Sequence, residues 1–395
     1  MPGMMTFDEI IVRRPELATS YLKLLKAQPG RPIALFAPRR IGKTYFLDGD
    51  LAPAAVKEKF LPVYADLWLN RSAPLGAINH ALEEALDDVM VPRSSAGKLA
   101  KTPIRKIGLL GGSLEIGAEP VRRDLPDSPE LRLDALVSRL AAASGRPILL
   151  MLDEIQSLAQ AQNGEAVVAS LRAVLQKHKK NVFAVFTGSS QEALGAMMMA
   201  AGGPMYQFAQ LMTFPALDTD YLTLLADHYR EVHPTKSLDR AAMEKVFAHL
   251  GYKPALMKDL VKSMSADGLT NLEDGLKRYL EDDRNVSAWQ GVFEQLSTLE
   301  QAVVVLLAHG VAPMAKDTLD VLAKIPGLSS TLPKVRAALN RMRQSGLLSK
   351  PPKGSFQLED QLFGDYVAGK YVPSYIVNGT IQLKGKPPSR IGKNA

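Results

Sequence analysis

The chain has 395 residues, no cysteine and a formal net charge of +7. That length accommodates two or three domains with cores of their own, and the lack of cysteine excludes disulfides, thiolate metal sites and a cysteine nucleophile. The charge is a mild basic excess, which permits nucleic acid as a partner without requiring it. The opening MPGMMTFDEIIVRRPEL carries acids early and has no apolar stretch behind a basic region, so no signal peptide is expected. No apolar run reaches the length of a membrane span, and a cytoplasmic protein is expected.

After an N-terminal segment, residues 1–30, the stretch RPIALFAPRRIGKTYFLD at residues 31–48 reads as strand, loop and helix. Residues 60–68 form a second buried-strand candidate. Residues 75–89 then carry helical spacing in Ile78, Leu82, Ala85 and Val89. Residues 92–130 break the pattern with Pro, Gly and Ser and read as an insertion, in which KIGLLGGSLEIGAE gives one or two short strands. The pattern restarts with a helix at 131–143, a strand ending at Asp153, a helix at 165–178 and a strand running from Asn181 into Thr187. Alternating buried strands and helices predict an α/β core with a mostly parallel sheet across residues 31–215.

Beyond Pro215 helical periodicity takes over, at 221–230, 239–250 and 253–264, which predicts an all-α lid over 216–283. Three further helices, at 296–308, 318–323 and 332–345, precede two extended runs in GLLSKPPKGSFQLED. This is the winged-helix order, assigned to residues 284–372. Residues 373–395 contain Lys384, Lys386, Arg390 and Lys393 and no acid, and are expected to form a flexible basic tail. The trio Met197, Met198 and Met199, followed by Gly202 and Gly203, reads as a mobile apolar loop that contacts a partner, as buried helix core or as plain disorder.

The chemistry concentrates at Ala37-Pro38-Arg39-Arg40-Ile41-Gly42-Lys43-Thr44, which fits the pattern GxxxxGK(S/T) with alanine for the first glycine. Backbone N–H groups of such a loop and of the following helix point at phosphates, the lysine reaches the β and γ phosphates, and the hydroxyl of Thr44 ligates Mg²⁺. The loop from Ala37 to Tyr45 is therefore the expected cradle for ATP. A short tripeptide of this kind recurs by chance, and the apolar strand before it and the helix after it give it weight. Independent support comes from PILLML at residues 147–152, an apolar strand that ends in Asp153 and Glu154. There Asp153 would hold Mg²⁺ and Glu154 would polarise the attacking water. Two acids that merely cap the next helix would look the same. A third strand ends in Thr187-Gly188-Ser189-Ser190, where Ser189 or Ser190 is the candidate to sense the γ-phosphate. Alternatively Ser190 caps a helix.

APRRIGKT, LLMLDEIQ and FTGSS, in that order and spacing, resemble the archaeal-type ATPases of the AAA+ and STAND lineage, over roughly residues 8–372. The resemblance implies a P-loop NTPase core of AAA+ type followed by an all-α lid and a winged helix. It also implies that Arg14, in IVRRPEL, lies beside the nucleotide and that Pro254, in GYKP, approaches the adenine. Two positions depart from the family pattern. Alanine stands for the first glycine, and Gln207-Phe208-Ala209 follows Tyr206 where an arginine finger is often found. Without that arginine, transition-state charge must be met by another residue or a partner, and turnover is expected to be slow. Arg39 and Arg40 lie in the loop itself, where they are expected either to serve the nucleotide or to pair with acids of the core.

The expected function is ATP hydrolysis coupled to conformational change. Two alternatives stand beside it: a slow nucleotide-dependent switch that regulates a protein partner, and a DNA-associated ATPase. For DNA the candidates are Lys334, Arg336, Arg341 and Arg343 on the third helix of the winged element, together with the tail. Cations along an amphipathic helix also serve as an ordinary solvated face. The histidines show no metal spacing, so no metal beyond Mg²⁺ is expected.

Overall fold

The computed structural model describes residues 6–36, 40–70, 72–90, 125–161, 163–189, 191–217, 219–323, 328, 330–350, 354–372 and 382–383. Its centre is a five-stranded sheet made of β1 (Ile33–Phe36), β2 (Leu61–Asp66), β3 (Ile148–Asp153), β4 (Val182–Gly188) and β5 (Gln210–Thr213). The strands lie in the order β2-β3-β4-β1-β5 and all pair in parallel. β4 therefore separates β1, which leads into the phosphate loop, from β3, which carries the two acids. Parallel strands need crossovers, and the helices Pro74–Met90, Pro129–Ser144 and Gly164–Lys177 belong to these connections.

The period of two along β3 explains why its residues are apolar throughout. Ile148, Leu150 and Leu152 enter one hydrophobic cluster, together with Leu82, Leu136 and Leu171 from helices. Leu149 and Met151 enter another, with Leu22, Phe46 and Leu51 on the opposite face. A strand covered on both faces alternates between two cores and not between core and solvent.

The second strand and the helices of the core fall where the periodicity places them. β5 had no clear signal: it is a four-residue edge strand in which Leu211 is 39 % exposed. The 92–130 insertion lies almost wholly outside the described residues, and the chain re-emerges just before helix Pro129–Ser144. Met197 and Met198 are buried in the sheet's core on helix Gln191–Met199, so the core reading applies to them and the loop reading does not. Among the described residues, no helix is long and apolar enough to cross a membrane.

A third cluster joins helices Thr219–Val232, Arg240–His249 and Pro254–Asp267 to Phe7 and Ile10 of the N-terminal segment. A fourth gathers Val303, Val305, Leu339 and Phe363. It holds helices Thr298–Ala308, Lys316–Leu322 and Leu332–Gln344, followed by an antiparallel pair of two-residue strands in which Leu348 faces Leu358. The predicted order of three helices and a hairpin is thus present. Helices Leu272–Glu281, Asp283–Glu294 and Gln361–Lys370 were not anticipated. Within the stretch expected to be a flexible tail, Gln382–Leu383 pairs with Tyr371–Val372. Its four basic residues lie outside the described residues.

Candidate functional site

β1 delivers the chain to the phosphate loop, of which Arg40 onward is described; Ala37, Pro38 and Arg39 lie outside the described residues. Gly42 has φ 90°, a left-handed conformation that a side chain would strain, and it turns the backbone directly into helix Lys43–Phe46. That helix continues without a break through a wider turn at Leu47–Leu51 into Ala52–Lys57. Such wide turns concentrate at functional positions. Here the turn presents Asp50, which is buried and accepts from Arg13 Nε at 2.9 Å and from the Arg14 amide at 3.0 Å. The N-terminal segment is thereby tied to the helix that starts at the phosphate loop.

A cavity of about 360 Å³ opens in front of this loop. Lys43, Thr44, Tyr45, Ile41 and Gly42 line one end, with Glu154 beside them. Arg14 and Pro254 line it as well, so the structure brings together the residues that the resemblance placed near a nucleotide. Ile10, Ile11 and Val12, with Leu217, Tyr221 and Ala255, add a largely apolar stretch of wall. Tyr221 donates from its hydroxyl to the Pro254 carbonyl at 2.6 Å. Burial and the nearby charge of Asp259 raise the pKa of that phenol, so it stays a donor. Arg14 Nη1 donates to the Pro215 carbonyl at 2.6 Å, and its guanidinium lies 4.9 Å from the centre of the Phe214 ring.

The polar centre is Asp153. It is 5 % exposed, which makes hydrogen bonding of its carboxylate obligatory. Thr44 Oγ1 donates to Oδ2 at 2.8 Å and Tyr64 OH to the same oxygen at 3.3 Å. Oδ1 accepts from the Thr187 hydroxyl and from the Glu154 amide at 3.1 Å. The sheet order accounts for this arrangement. Thr187, fully buried at the tip of β4, stands between the loop and β3, and Tyr64 comes from neighbouring β2. Burial, with the Asp153 carboxylate beside it, raises the Tyr64 pKa and keeps this donor protonated.

Glu154 sits at φ 58°, a left-handed conformation that is uncommon outside glycine and asparagine and that clusters at functional sites. Its Oε2 accepts from the Ser189 hydroxyl at 2.7 Å, the Ser189 amide at 3.2 Å and the Gln156 side-chain amide. The acid pair is therefore not a cap: Asp153 and Glu154 direct their carboxylates at Thr44 and Ser189, respectively. Ser189, expected to sense a phosphate, is engaged with Glu154; Ser190 lies outside the described residues. Gln156 Oε1 is buried without a hydrogen-bond partner, and a Cβ on Gly188 would approach it to 2.7 Å. Gly188 therefore leaves the room in which Gln156 reaches Glu154.

Thr187, Tyr64, Gln156, Arg13 and Asp50 went unrecognised in the sequence. Thr187 alone had a usable signal, as the last hydroxyl of a buried strand. Arg40 requires a correction: it pairs not with a core acid but with Asp360, at the start of the C-terminal helix, at 3.2 Å.

The oxygen donors of Thr44 and Asp153, 2.8 Å apart, fit Mg²⁺, a hard cation that takes one or two protein oxygens and completes its shell with water and phosphate. Among the described residues, no group of three or more His, Cys, Asp or Glu could hold a metal by itself.

The chain matches no protein-family model and no curated protein. Among solved structures it is similar to a Walker-type ATPase of Pyrococcus abyssi, at 16 % identity and a TM-score of 0.57, over 93 % of this chain and 98 % of that one. It is also similar to the ORC2 protein of Aeropyrum pernix, solved as ADPNP–ADP complexes, at 17 % identity and a TM-score of 0.51, over 92 % of each. The chain thus has the fold of the P-loop NTPases of AAA+ type.

Proposed function

We propose that this protein is a Mg²⁺-dependent ATPase in which hydrolysis moves the lid and the C-terminal helices relative to the sheet. The observation that carries this reading is the contact between Thr44 and Asp153, 2.8 Å apart across the strand order, with Lys43 and Glu154 at the same end of one cavity. In this reading Lys43 and the loop N–H groups orient the phosphates, and Thr44 with Asp153 holds the cation. The cation would neutralise charge on the β and γ phosphates. Glu154 takes a proton from the attacking water. The apolar wall from Ile10 to Val12, with Pro254, receives the adenine. Both neighbours, a Walker-type ATPase and a protein solved with ADPNP and ADP, support the reading at the level of fold.

A second reading, a slow nucleotide-dependent switch, draws on one observation. The Glu154 carboxylate already accepts from Ser189 and Gln156 on a single oxygen. That oxygen is therefore already committed to protein donors where the ATPase reading needs it to meet a water. DNA as a partner rests on helix Leu332–Gln344, where Lys334 and Arg336 are exposed and Arg341 already pairs with Glu300 at 3.0 Å.

The test is ATP turnover and nucleotide retention in the full chain, in Lys43→Ala and in Glu154→Gln, with and without duplex DNA. The ATPase reading expects turnover to fall about 100-fold or more in both variants, with ATP still held by Glu154→Gln. Retained nucleotide with no wild-type turnover selects the switch. Stimulation by duplex supports DNA as a partner. A wild-type chain that binds no nucleotide sinks the whole proposal.

A further inference from the structure

Arg40 lines the cavity at its phosphate end, next to Lys43, yet its guanidinium is engaged elsewhere. Its Nη1 lies 3.2 Å from Asp360 Oδ2, an acid 320 positions away in the chain. Asp360 has a structural duty too. Its Oδ1 caps helix Gln361–Lys370 by accepting from the Leu362 and Phe363 amides at 3.0 and 3.3 Å. Just one of its oxygens is thus left for Arg40, and the contact is single and half exposed. A guanidinium prefers two parallel hydrogen bonds and finds them on a phosphate. A triphosphate arriving beside Lys43 offers those bonds and more negative charge than one carboxylate.

The surroundings make the outcome one-sided. The same stretch of chain is fastened to the lid by stronger means: Lys253, itself buried, donates to the Glu359 carbonyl and lies 3.3 Å from its carboxylate. His249 Nε2 lies 2.8 Å from Asp365, and Leu362 is buried in the lid's cluster with Leu256 and Leu260. If Arg40 lets go, the C-terminal helix stays on the lid and loses this tie to the phosphate loop.

We propose that Asp360 competes with the terminal phosphate for Arg40, so that the site distinguishes triphosphate from diphosphate through a residue of the C-terminal helix. This rests on the nucleotide reading of the cavity. Binding and release are linked: if the triphosphate displaces Asp360, then Asp360 weakens triphosphate binding by the same factor. An ion pair this exposed is worth at most about 1 kcal/mol, which sets the effect at about two- to five-fold.

The experiment is calorimetric titration of ATP and ADP, with Mg²⁺, into the full chain, Asp360→Asn and Asp360→Glu. Asparagine keeps the helix cap and removes the charge, while glutamate keeps the charge. Asp360→Asn is expected to bind ATP about two- to five-fold more tightly than wild type and ADP with a smaller gain. Asp360→Glu should return toward wild type. The gap between wild type and Asp360→Asn should shrink at high salt, where exposed pairs are screened. Unchanged or weaker ATP binding in Asp360→Asn overturns the proposal, as does an equal gain for ATP and ADP. Both leave the nucleotide reading intact, because that reading fails only if the wild-type chain binds neither nucleotide or if Lys43→Ala binds both as well as wild type does.

Discussion

The two ends of the cavity are built from different material. At the end lined by Lys43 and Thr44, buried polar groups satisfy one another: Asp153 takes hydrogen bonds from Thr44, Tyr64, Thr187 and the Glu154 amide. The opposite wall is assembled from the N-terminal segment, the lid and its proline, held by side-chain ties such as Arg13 to Asp50 and by apolar contacts such as Leu362 in the lid. A polar network on a sheet is costly to disturb and geometrically fixed. A wall of tethered segments can be re-formed when a ligand arrives. The difference separates an end held in place by the sheet from a wall assembled out of segments that pack separately.

The comparison can be broken most severely at the tether. Leu362→Ala removes a side chain that is 1 % exposed and should cost about 3 kcal/mol in chemical denaturation. If the tether is local, this variant keeps nucleotide affinity within a factor of two of wild type. A large loss of affinity would mean that the two ends are one cooperative unit. Thr187→Val, nearly isosteric, takes one donor from the buried carboxylate of Asp153. It is expected to lower stability by about 2 kcal/mol and to weaken Mg²⁺-dependent ATP binding; a neutral effect would place Thr187 outside the network. Arg13→Ala leaves Asp50 with the Arg14 amide, and because Arg13 is largely exposed the cost should be about 1 kcal/mol, read from the same denaturation curves. The smallest effect is expected for Ser189→Ala. Releasing one side-chain donor from Glu154 should raise kcat a few-fold at unchanged KM, and a fall in kcat would return Ser189 to the phosphate-sensing role that its position in the sequence suggested.

Residues whose role depends on local pattern were readable without coordinates. The Gly42-Lys43-Thr44 turn follows a strand and opens a helix, and the apolar run before Asp153 and Glu154 has the length and composition of a doubly covered strand. The lid helices and the helix, helix, helix, hairpin order likewise announced themselves by period and by turn residues. β5 did not, because four residues at a sheet edge carry too little alternation to rise above the surrounding loop. Tyr64, Gln156 and Asp50 were silent for a different reason. Each acquires its role from a partner that the strand order or a helical turn brings alongside it, and no spacing along the chain encodes that.

Arg40 marks the boundary between the two kinds of information. Its type and place in the loop were plain from the sequence, which offered phosphate or a core acid as partners. Its partner in the structure, Asp360, lies beyond both, because packing of Leu362 into the lid sets the C-terminal helix down beside the phosphate loop. By itself, then, the sequence determined the chemistry available at the strand ends, since backbone geometry and hydrophobic period act over a few residues. Which acid meets which cation was decided only by tertiary structure, since that depends on how separately formed cores pack against one another.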